Sequence, residues 1–201
     1  MKITLTDLGK KYNREWVFRH LNFEISPGDT IAITGHNGSG KSTLLKVLGG
    51  YLTPSQGKVT YGDSKEHIQT QFSFAAPYLN LLEEFTLKEH LAFHNKFKKA
   101  LCSHEEMLAL SNLAGAEDKL VKDFSSGMKQ RLRLVLAFFY ESSLLLLDEP
   151  TSNLDQDGTD WYLSMLQKVS DEQTMIIASN QPQEYAGANH IISIENFKQG
   201  Q

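Results

Sequence analysis

A glycine-rich segment of nine residues constrains the fold of this 201-residue chain more than any other feature. Two of its glycines are separated by four residues and followed by a lysine and a hydroxyl residue, which is the pattern of a phosphate-binding loop. Glycine lets backbone N–H groups converge on phosphate oxygens with no Cβ in the way. The segment therefore predicts a phosphate site, and the alternative is a glycine-rich turn that matches by chance. Its residues are Gly35, His36, Asn37, Gly38, Ser39, Gly40, Lys41, Ser42 and Thr43.

The residues on either side of the segment decide between these alternatives. Thr30–Thr34 is an apolar, β-branched run that predicts a buried strand, and Ser42–Leu48 predicts a helix that two glycines end. A helix that begins near Gly40 adds free N–H groups and the positive end of its dipole. Lys41 can then reach the β- and γ-phosphates, and the Ser42 hydroxyl can bind Mg²⁺. Strand, loop and helix together indicate a nucleotide site.

Size and composition set the class of protein. A chain of this length is ample for one domain with a sizeable core, and its 40% hydrophobic and 22% charged residues are ordinary for a globular protein. The net charge of −4 argues against a nucleic-acid partner. Cys102 is the only cysteine, which excludes an internal disulfide, fits a reducing compartment and suggests a packing role. Neither a signal peptide nor an apolar run of the ~20 residues that cross a bilayer is present. We expect a cytoplasmic protein that acts at membranes only through a partner.

A second segment supplies acidic residues. Four consecutive leucines, Leu144–Leu147, predict a central buried strand that ends at Asp148, Glu149 and Pro150. Asp148 can hold Mg²⁺ directly or through water, and Glu149 can act as the general base that activates water. The alternative is a pair of carboxylates that happen to end a strand. Together with an upstream phosphate loop, the pair indicates a site for nucleoside-triphosphate hydrolysis.

The order of predicted elements gives the fold class. Strands are expected near both termini and around the two motifs, and helices occupy about Tyr78–Val121. Alternation of strands and helices favours a largely parallel sheet with ligands at the carboxyl ends of its strands. We predict an α/β fold: a P-loop nucleoside-triphosphatase core with a mainly parallel sheet, an N-terminal antiparallel β part and an inserted helical subdomain. The chain is one domain, 1–201, with a core of about 1–77 and 136–201 and a helical subdomain of about 78–135.

Local signals refine this outline. The N-terminal strands Ile3–Asp7 and Leu21–Ile25 flank a predicted polar turn, Lys10–Arg14, that carries Tyr12. In the helical part, Thr86 and Ser103 each begin a capping-box pattern, and Gly115 is a candidate helix stop. A small basic cluster there predicts a solvated helix face, with a partner contact as the alternative; it consists of Lys96, Lys98 and Lys99.

A third motif carries a family resemblance. Phe124–Arg131 opens a predicted long helix and resembles the signature sequence of ATP-binding cassette (ABC) ATPases. The order of phosphate loop, signature, acidic strand end and Thr151–Asp155, which looks like that family's D-loop, also matches. The resemblance implies bound ATP, a functional Asp155, and adenine stacked on Tyr12, for which an edge aromatic with a packing role is the alternative. It also implies a head-to-tail dimer with two ATPs between the subunits. The signature of one subunit would then face the γ-phosphate of the other; if it does not, these residues are a capped helix start. They are Ser125, Ser126, Gly127 and Met128.

Several positions depart from the family's pattern. Ser126 and Met128 stand where the family commonly has Gly and Gln, and we expect both to remain workable. Pro77 occupies the position where the family has a Gln, and proline has neither a side-chain donor nor an N–H. Asn180 stands in place of the switch His; an amide donates a hydrogen bond but cannot shuttle a proton, which predicts slow hydrolysis.

The resemblance implies a function. We expect a Mg²⁺-dependent ATPase subunit of an ABC transporter, in which ATP binding closes a homodimer and a permease on a separate chain moves the solute. The chain would be peripherally attached to the membrane through that permease, and its compact length is similar to that of exporter-type subunits, including those of haem export. The alternative is an ABC ATPase that acts as an assembly or regulatory switch on soluble partners. A small-molecule kinase would leave the signature and D-loop without a role.

Overall fold

A computed structural model describes residues 1–62 and 71–198 of the chain. The described strands are β1 (Ile3–Tyr12), β2 (Glu15–Ile25), β3 (Thr30–Thr34), β4 (Gln56–Tyr61), β5 (Phe72–Ala75), β6 (Leu144–Asp148), β7 (Thr174–Ala178) and β8 (His190–Ser193). The described helices are α1 (Lys41–Leu48), α2 (Leu87–His94), α3 (His104–Leu110), α4 (Ser126–Phe138) and α5 (Gln156–Leu166). Short 3₁₀ turns lie at Val121–Asp123, Pro182–Tyr185 and Ile194–Phe197.

The larger sheet positions the site. Its five strands have the order β5-β6-β7-β3-β8 and every described pairing is parallel. Strands β6 and β7 are buried along their whole length, as expected of continuous apolar runs covered on both faces. The phosphate loop follows β3, Asp148 ends β6, and Asn180 lies two residues beyond β7. All three are thus at the carboxyl edge of one sheet, and the predicted α/β fold with a parallel sheet is confirmed.

The smaller sheet is antiparallel, with the order β2-β1-β4, and confirms the predicted N-terminal β part. The predicted polar turn at Lys10–Arg14 is wrong in extent, because β1 continues to Tyr12, which pairs with Glu15. Only Asn13 and Arg14 form the turn, and Asn13 has a φ of 54°. The register between β1 and β2 shifts at three places between Leu5 and Lys11, as β-bulges cause.

The helical region agrees in part with the sequence signals. Thr86 caps α2 in a reciprocal capping box with Glu89, as predicted. Ser103 caps α3, where its hydroxyl accepts the N–H of Glu106. Gly115 does not stop a helix: α3 ends at Leu110, and Gly115 lies in a later turn with a φ of 84°. That turn needs a left-handed residue, which explains the glycine equally well.

Helix α4 crosses the predicted boundary between subdomain and core at residues 135–136, because it continues to Phe138. One cluster of buried apolar side chains includes Leu91 and Met107 of the helical region together with Leu145 and Ile177 of the sheet. The two regions therefore share a core, and the division into subdomains remains a proposal. No helix in the described ranges is long and apolar enough to cross a membrane.

The predicted solvated face at the lysine cluster is wrong for Lys98. Its ammonium group donates to the Phe72 carbonyl and, over 2.9 Å, to the Ser73 hydroxyl, and burial lowers its pKa to about 8. Lys99 agrees with the prediction, since it is exposed and pairs with Glu141 at 2.6 Å. Lys98 thus fastens the segment after α2 to the edge strand β5.

Candidate nucleotide-binding site

The phosphate loop joins β3 to α1 and owes its shape to two glycines. Gly35 has a φ of 143° and Gly40, which precedes the first residue of α1, a φ of 110°. A Cβ at Gly40 would lie 2.2 Å from Val17 Cγ1, and one at Gly35 would lie 2.7 Å from Ser39 Oγ. The backbone conformation and the close approach of neighbouring side chains both require glycine here.

Donor groups converge on the inner side of this loop. Lys41 is buried, and its Nζ donates to the Gly35 carbonyl at 2.7 Å. The Ser39 hydroxyl is fully buried and has no hydrogen-bond partner among the described residues. The first N–H groups of α1 have no intrahelical acceptor, and the helix dipole places partial positive charge there. The arrangement fits a polyanionic group such as a triphosphate.

Two residues beyond the motif hold the loop from outside. The Asn180 side chain makes both bonds: its Oδ1 accepts from the Gly35 N–H at 3.3 Å, and its Nδ2 donates to Asn37 Oδ1 at 3.1 Å. Glu195 Oε1 accepts from the His36 N–H at 2.9 Å and lies 2.6 Å from His36 Nδ1. These bonds lower the pKa of Glu195. Sequence reasoning missed Glu195 because a carboxylate 159 positions from its partner carries no local signal.

A pocket of about 320 Å³ adjoins the loop at the ends of β5 and β6. It is lined by Ser42, Pro77, Tyr78, Asp148 and Glu149. Asp148 is buried, and burial raises the pKa of its carboxyl against hydrogen bonds from Ser42 and Tyr78. Its Oδ1 has no partner among the described residues, so an acceptor remains free for a cation.

The donor set of this pocket suits Mg²⁺. In the described ranges no three His, Cys, Asp or Glu side chains are grouped to hold a metal. Magnesium is usually bound by one or two carboxylates together with water and substrate phosphates, so a larger cluster is not needed. Ser42 and Asp148 supply one hydroxyl and one carboxylate beside the phosphate loop. These residues fit the ion that the sequence predicted for them.

Glu149 is displayed by an unusual backbone conformation. Its φ is 43°, in the left-handed region, and its side chain is exposed at the pocket. Its N–H donates to the Ala178 carbonyl at 2.9 Å, and its carbonyl accepts the Ser152 N–H at 3.0 Å. Strained residues held by their surroundings are common where a side chain must be aimed at substrate. The position suits the general base that the sequence predicted.

Tyr78 is a pocket residue that sequence reasoning missed. Its hydroxyl donates to Asp148 Oδ2 at 2.8 Å, and the Lys46 ammonium lies 4.0 Å from the centre of its ring. Burial and the neighbouring Asp148 raise the pKa of the phenol. The only local signal for Tyr78 as a pocket residue is that its hydroxyl-bearing side chain directly follows Pro77.

The signature residues cap α4 and lie outside this pocket. Ser125 Oγ accepts the Met128 N–H at 3.2 Å, while Ser125 and Ser126 are exposed. The carbonyl of Asn153 is so close to Gly127 that a Cβ there would approach it to 3.1 Å. The start of α4 thus packs on the D-loop of its own chain and presents free N–H groups to solvent.

Asp155 performs two structural tasks in the D-loop. It caps α5, where its Oδ1 accepts the Gly158 N–H at 2.8 Å, and it pairs with Arg131 of α4 at 3.2 Å. The Gly158 N–H and the Arg131 charge lower the pKa of this carboxyl. The middle of α4 and the start of α5 are therefore joined within one chain.

Tyr12 lies at the end of β1 with half of its surface exposed. The Lys10 ammonium is 5.4 Å from its ring centre. The exposed ring is consistent with stacking on a base or with an edge residue, and adenine stacking stays a prediction.

Comparison with known proteins gives the family. The sequence pattern of the ABC transporter family matches residues 18–152. The chain belongs to the ABC transporter family. A similar curated relative, the putative hemin import ATP-binding protein HrtA of Staphylococcus aureus, is 30% identical, and the alignment covers 98% of this chain and 97% of that protein. The molybdate import ATP-binding protein MolC of Haemophilus influenzae is 32% identical over 99% of this chain and 82% of its own length. The predicted identity as an ABC ATP-binding subunit is confirmed.

A solved structure shows the same fold. A dimeric ATP-binding cassette in a post-hydrolysis state, bound to ADP and Pi, aligns with a TM-score of 0.82. The sequences are 22% identical, and the alignment covers 95% of this chain and 93% of that one. At this identity the likeness concerns the fold.

Proposed function

We propose that this ABC subunit hydrolyses ATP with Mg²⁺ at the pocket formed by the phosphate loop and the end of β6. One observation carries the proposal. Lys41 and Ser42, at the start of α1, lie beside Asp148 and Glu149, at the end of β6, on the carboxyl edge of one sheet. Phosphate-binding, metal-binding and water-activating groups are thereby adjacent, which is the combination that phosphoryl transfer needs.

Each group has a role in the reaction. The loop N–H groups bind the β- and γ-phosphates, and Lys41 exchanges the Gly35 carbonyl for phosphate oxygens. Ser42 and Asp148 would hold Mg²⁺, which would neutralise part of the triphosphate charge. Glu149 accepts a hydrogen bond from the attacking water and orients it toward the γ-phosphate.

The signature supports a dimeric site. Ser125–Met128 do not line the pocket of their own chain, yet they form an exposed helix start with free N–H donors. In a head-to-tail pair of identical chains, each such helix start would face the γ-phosphate held by the other. The likeness to a dimeric ATP-binding cassette agrees with this arrangement.

Asn180 sets the expected rate. Its amide bonds to the Gly35 N–H and the Asn37 side chain, so it lies at the mouth of the phosphate loop. From there it can donate to a γ-phosphate oxygen but cannot shuttle a proton, as imidazole can. We expect slow hydrolysis and a long-lived closed dimer.

ATP-driven closure of the dimer would move a solute through a permease on a separate chain, at the cytoplasmic face of the membrane. The names of the relatives HrtA and MolC refer to two different solutes, hemin and molybdate. We therefore assign the choice of solute to the permease rather than to this chain. None of these relatives supports the alternative of a non-transport switch.

The test is Glu149→Gln. The variant should bind ATP, remain as a dimer on size-exclusion chromatography with ATP and Mg²⁺, and release phosphate about 10²- to 10⁴-fold more slowly. Glu141→Gln is the matched control, because Glu141 precedes the opposite end of β6 and its carboxylate pairs with Lys99 at the surface. Unchanged phosphate release by Glu149→Gln would remove Glu149 as the base, and absence of ATP binding by the native protein would refute the proposal as a whole.

A further inference from the structure

Tyr78 is placed at the pocket by a tight turn. The turn Ala76–Leu79 follows β5 and is closed by the Leu79 N–H, which donates to the Ala76 carbonyl at 3.0 Å. Pro77 stands at its second position, where the fixed φ of proline favours such turns. Pro77, which leaves the family's glutamine position without a side-chain donor, thus directs the next residue back toward the end of β6.

Both ends of the Tyr78 side chain are held. The hydroxyl donates to Asp148 Oδ2 at 2.8 Å, and Tyr78 lines the same pocket as Ser42. The ring lies under the Lys46 ammonium, 4.0 Å from its centre, and meets the Phe74 ring edge-on at 6.4 Å. A cation over an aromatic face is an attractive contact that fixes the ring's position.

The Tyr78 hydroxyl uses one of the two carboxylate oxygens that a metal ion or its bound water can use, since it donates to Asp148 Oδ2 and leaves Oδ1 without a partner. A hydrogen bond from a phenol occupies lone pairs of the carboxylate, and Mg²⁺ or its bound water requires those lone pairs. Ser42 and Asp148 are the two protein groups that the proposed function assigns to Mg²⁺, and Tyr78 donates to Asp148 and lines the same pocket as Ser42. Metal and phenol therefore compete for Asp148 Oδ2.

We propose that Tyr78 is a gate residue of this metal site. In the nucleotide-free subunit its hydroxyl holds Asp148 Oδ2, and it must release this oxygen before the whole carboxylate can serve Mg²⁺ that binds with nucleotide. The inference rests on the proposed function, because it concerns the same ion at the same two residues. It adds a regulatory step to that function: the concentration of Mg²⁺ needed for tight nucleotide binding is raised by the phenol.

The test titrates Mg²⁺ against a fixed concentration of N-methylanthraniloyl-ADP, whose fluorescence reports binding without hydrolysis. Tyr78→Phe keeps the ring under Lys46 and removes only the hydroxyl. We expect its half-saturating Mg²⁺ concentration to fall about tenfold, the lower end of what a hydrogen bond to a charged group contributes. Binding of the ADP probe in EDTA should be the same as in the native protein, which a merely structural role of Tyr78 would not predict.

Tyr51→Phe is the matched control. Tyr51 packs against Phe72 and Phe74 with ring centroids 5.6 Å apart, so the same chemical change is made beside the pocket but not in it. Its Mg²⁺ dependence should equal that of the native protein. Tyr78→Leu is a second variant without the hydroxyl and should shift the Mg²⁺ midpoint in the same direction as Tyr78→Phe.

The outcomes separate the two proposals. A Mg²⁺ midpoint of Tyr78→Phe that is unchanged or higher overturns the gate and leaves the nucleotide site intact. A shift of equal size in Tyr51→Phe also overturns it. If the native protein fails to bind the ADP probe with or without Mg²⁺, the proposed function fails instead.

Discussion

The substitution Gly40→Ala tests how the loop geometry depends on the neighbouring β2. Gly40 has a φ of 110°, where an L-residue is strained, and its new Cβ would lie 2.2 Å from Val17 Cγ1. Two independent effects are thus combined at one position. Gly115 offers a matched control, because its φ is 84° and no atom lies within 4 Å of a built Cβ.

The magnitudes follow from these environments. Left-handed strain alone costs about 1–2 kcal/mol, which is the expected loss of unfolding free energy in Gly115→Ala. Overpacking adds about 1–3 kcal/mol, so Gly40→Ala should lose about 2–5 kcal/mol. For a chain of this size each kcal/mol lowers the melting temperature by about 2–4 °C. Adding Val17→Ala removes the Cγ1 atom and should recover the overpacking part of the loss.

Urea unfolding of the native protein, Gly40→Ala, Val17→Ala and the double variant measures these contributions as a double-mutant cycle. Gly115→Ala is measured beside them. We expect a favourable coupling of about 1–3 kcal/mol, because Val17→Ala relieves a clash that exists only when residue 40 has a Cβ. Equal stability losses in Gly40→Ala and Gly115→Ala, with no coupling to position 17, would refute the reasoning. The described contact between β2 and the loop would then not be tight.

Two further predictions concern Asn180, just beyond β7, and His94, the last residue of α2. Asn180→His should raise kcat for ATP at saturating ATP, because imidazole can carry a proton at the γ-phosphate; phosphate-release assays check this, and an unchanged or lower kcat contradicts it. His94 packs edge-on against Tyr140 with centroids 4.4 Å apart, and burial, with the charges of Lys98 and His90, lowers its pKa to about 4. Below pH 6.5, the usual pKa of histidine, His94 takes up a proton in the unfolded chain but stays neutral in the folded chain down to about pH 4. The free energy of unfolding should therefore fall as the pH is lowered from 6.5 to about 4. The free energy of unfolding should change by at most about 1.4 kcal/mol per pH unit, and the partial exposure of His94 makes this change smaller. Urea unfolding at several pH values should show a shallower slope for His94→Phe, and equal slopes would contradict the assignment.

The parts of the fold that were predictable are those with strong local signals. The strand Thr30–Thr34 and the leucine strand of β6 have the predicted bounds, because continuous apolar runs bounded by glycine, acidic or proline residues permit few alternatives. The conformation of the phosphate loop was also predictable, because its glycines adopt positive φ values or lie against neighbouring side chains that leave no room for a Cβ.

The features that the sequence predicted wrongly or missed depend on contacts between residues that are distant in sequence. The extension of β1 to Tyr12 comes from pairing with β2 across bulges, which no local pattern encodes. Lys98 was predicted on a solvated face and instead reaches the edge strand 25 positions away. The contact of Tyr78 with Asp148 spans 70 positions and depends on a turn whose direction the proline alone does not determine.

The ion pair between Arg131 and Asp155 has a consequence for assembly. It joins the middle of α4 to the start of α5 at 3.2 Å in the single subunit, before any second copy binds. Surfaces that are already rigid lose less conformational entropy on association than surfaces that must first become ordered. The proposed dimer would therefore form from two prearranged faces, and the free energy of nucleotide binding would be left for closing them rather than for shaping them.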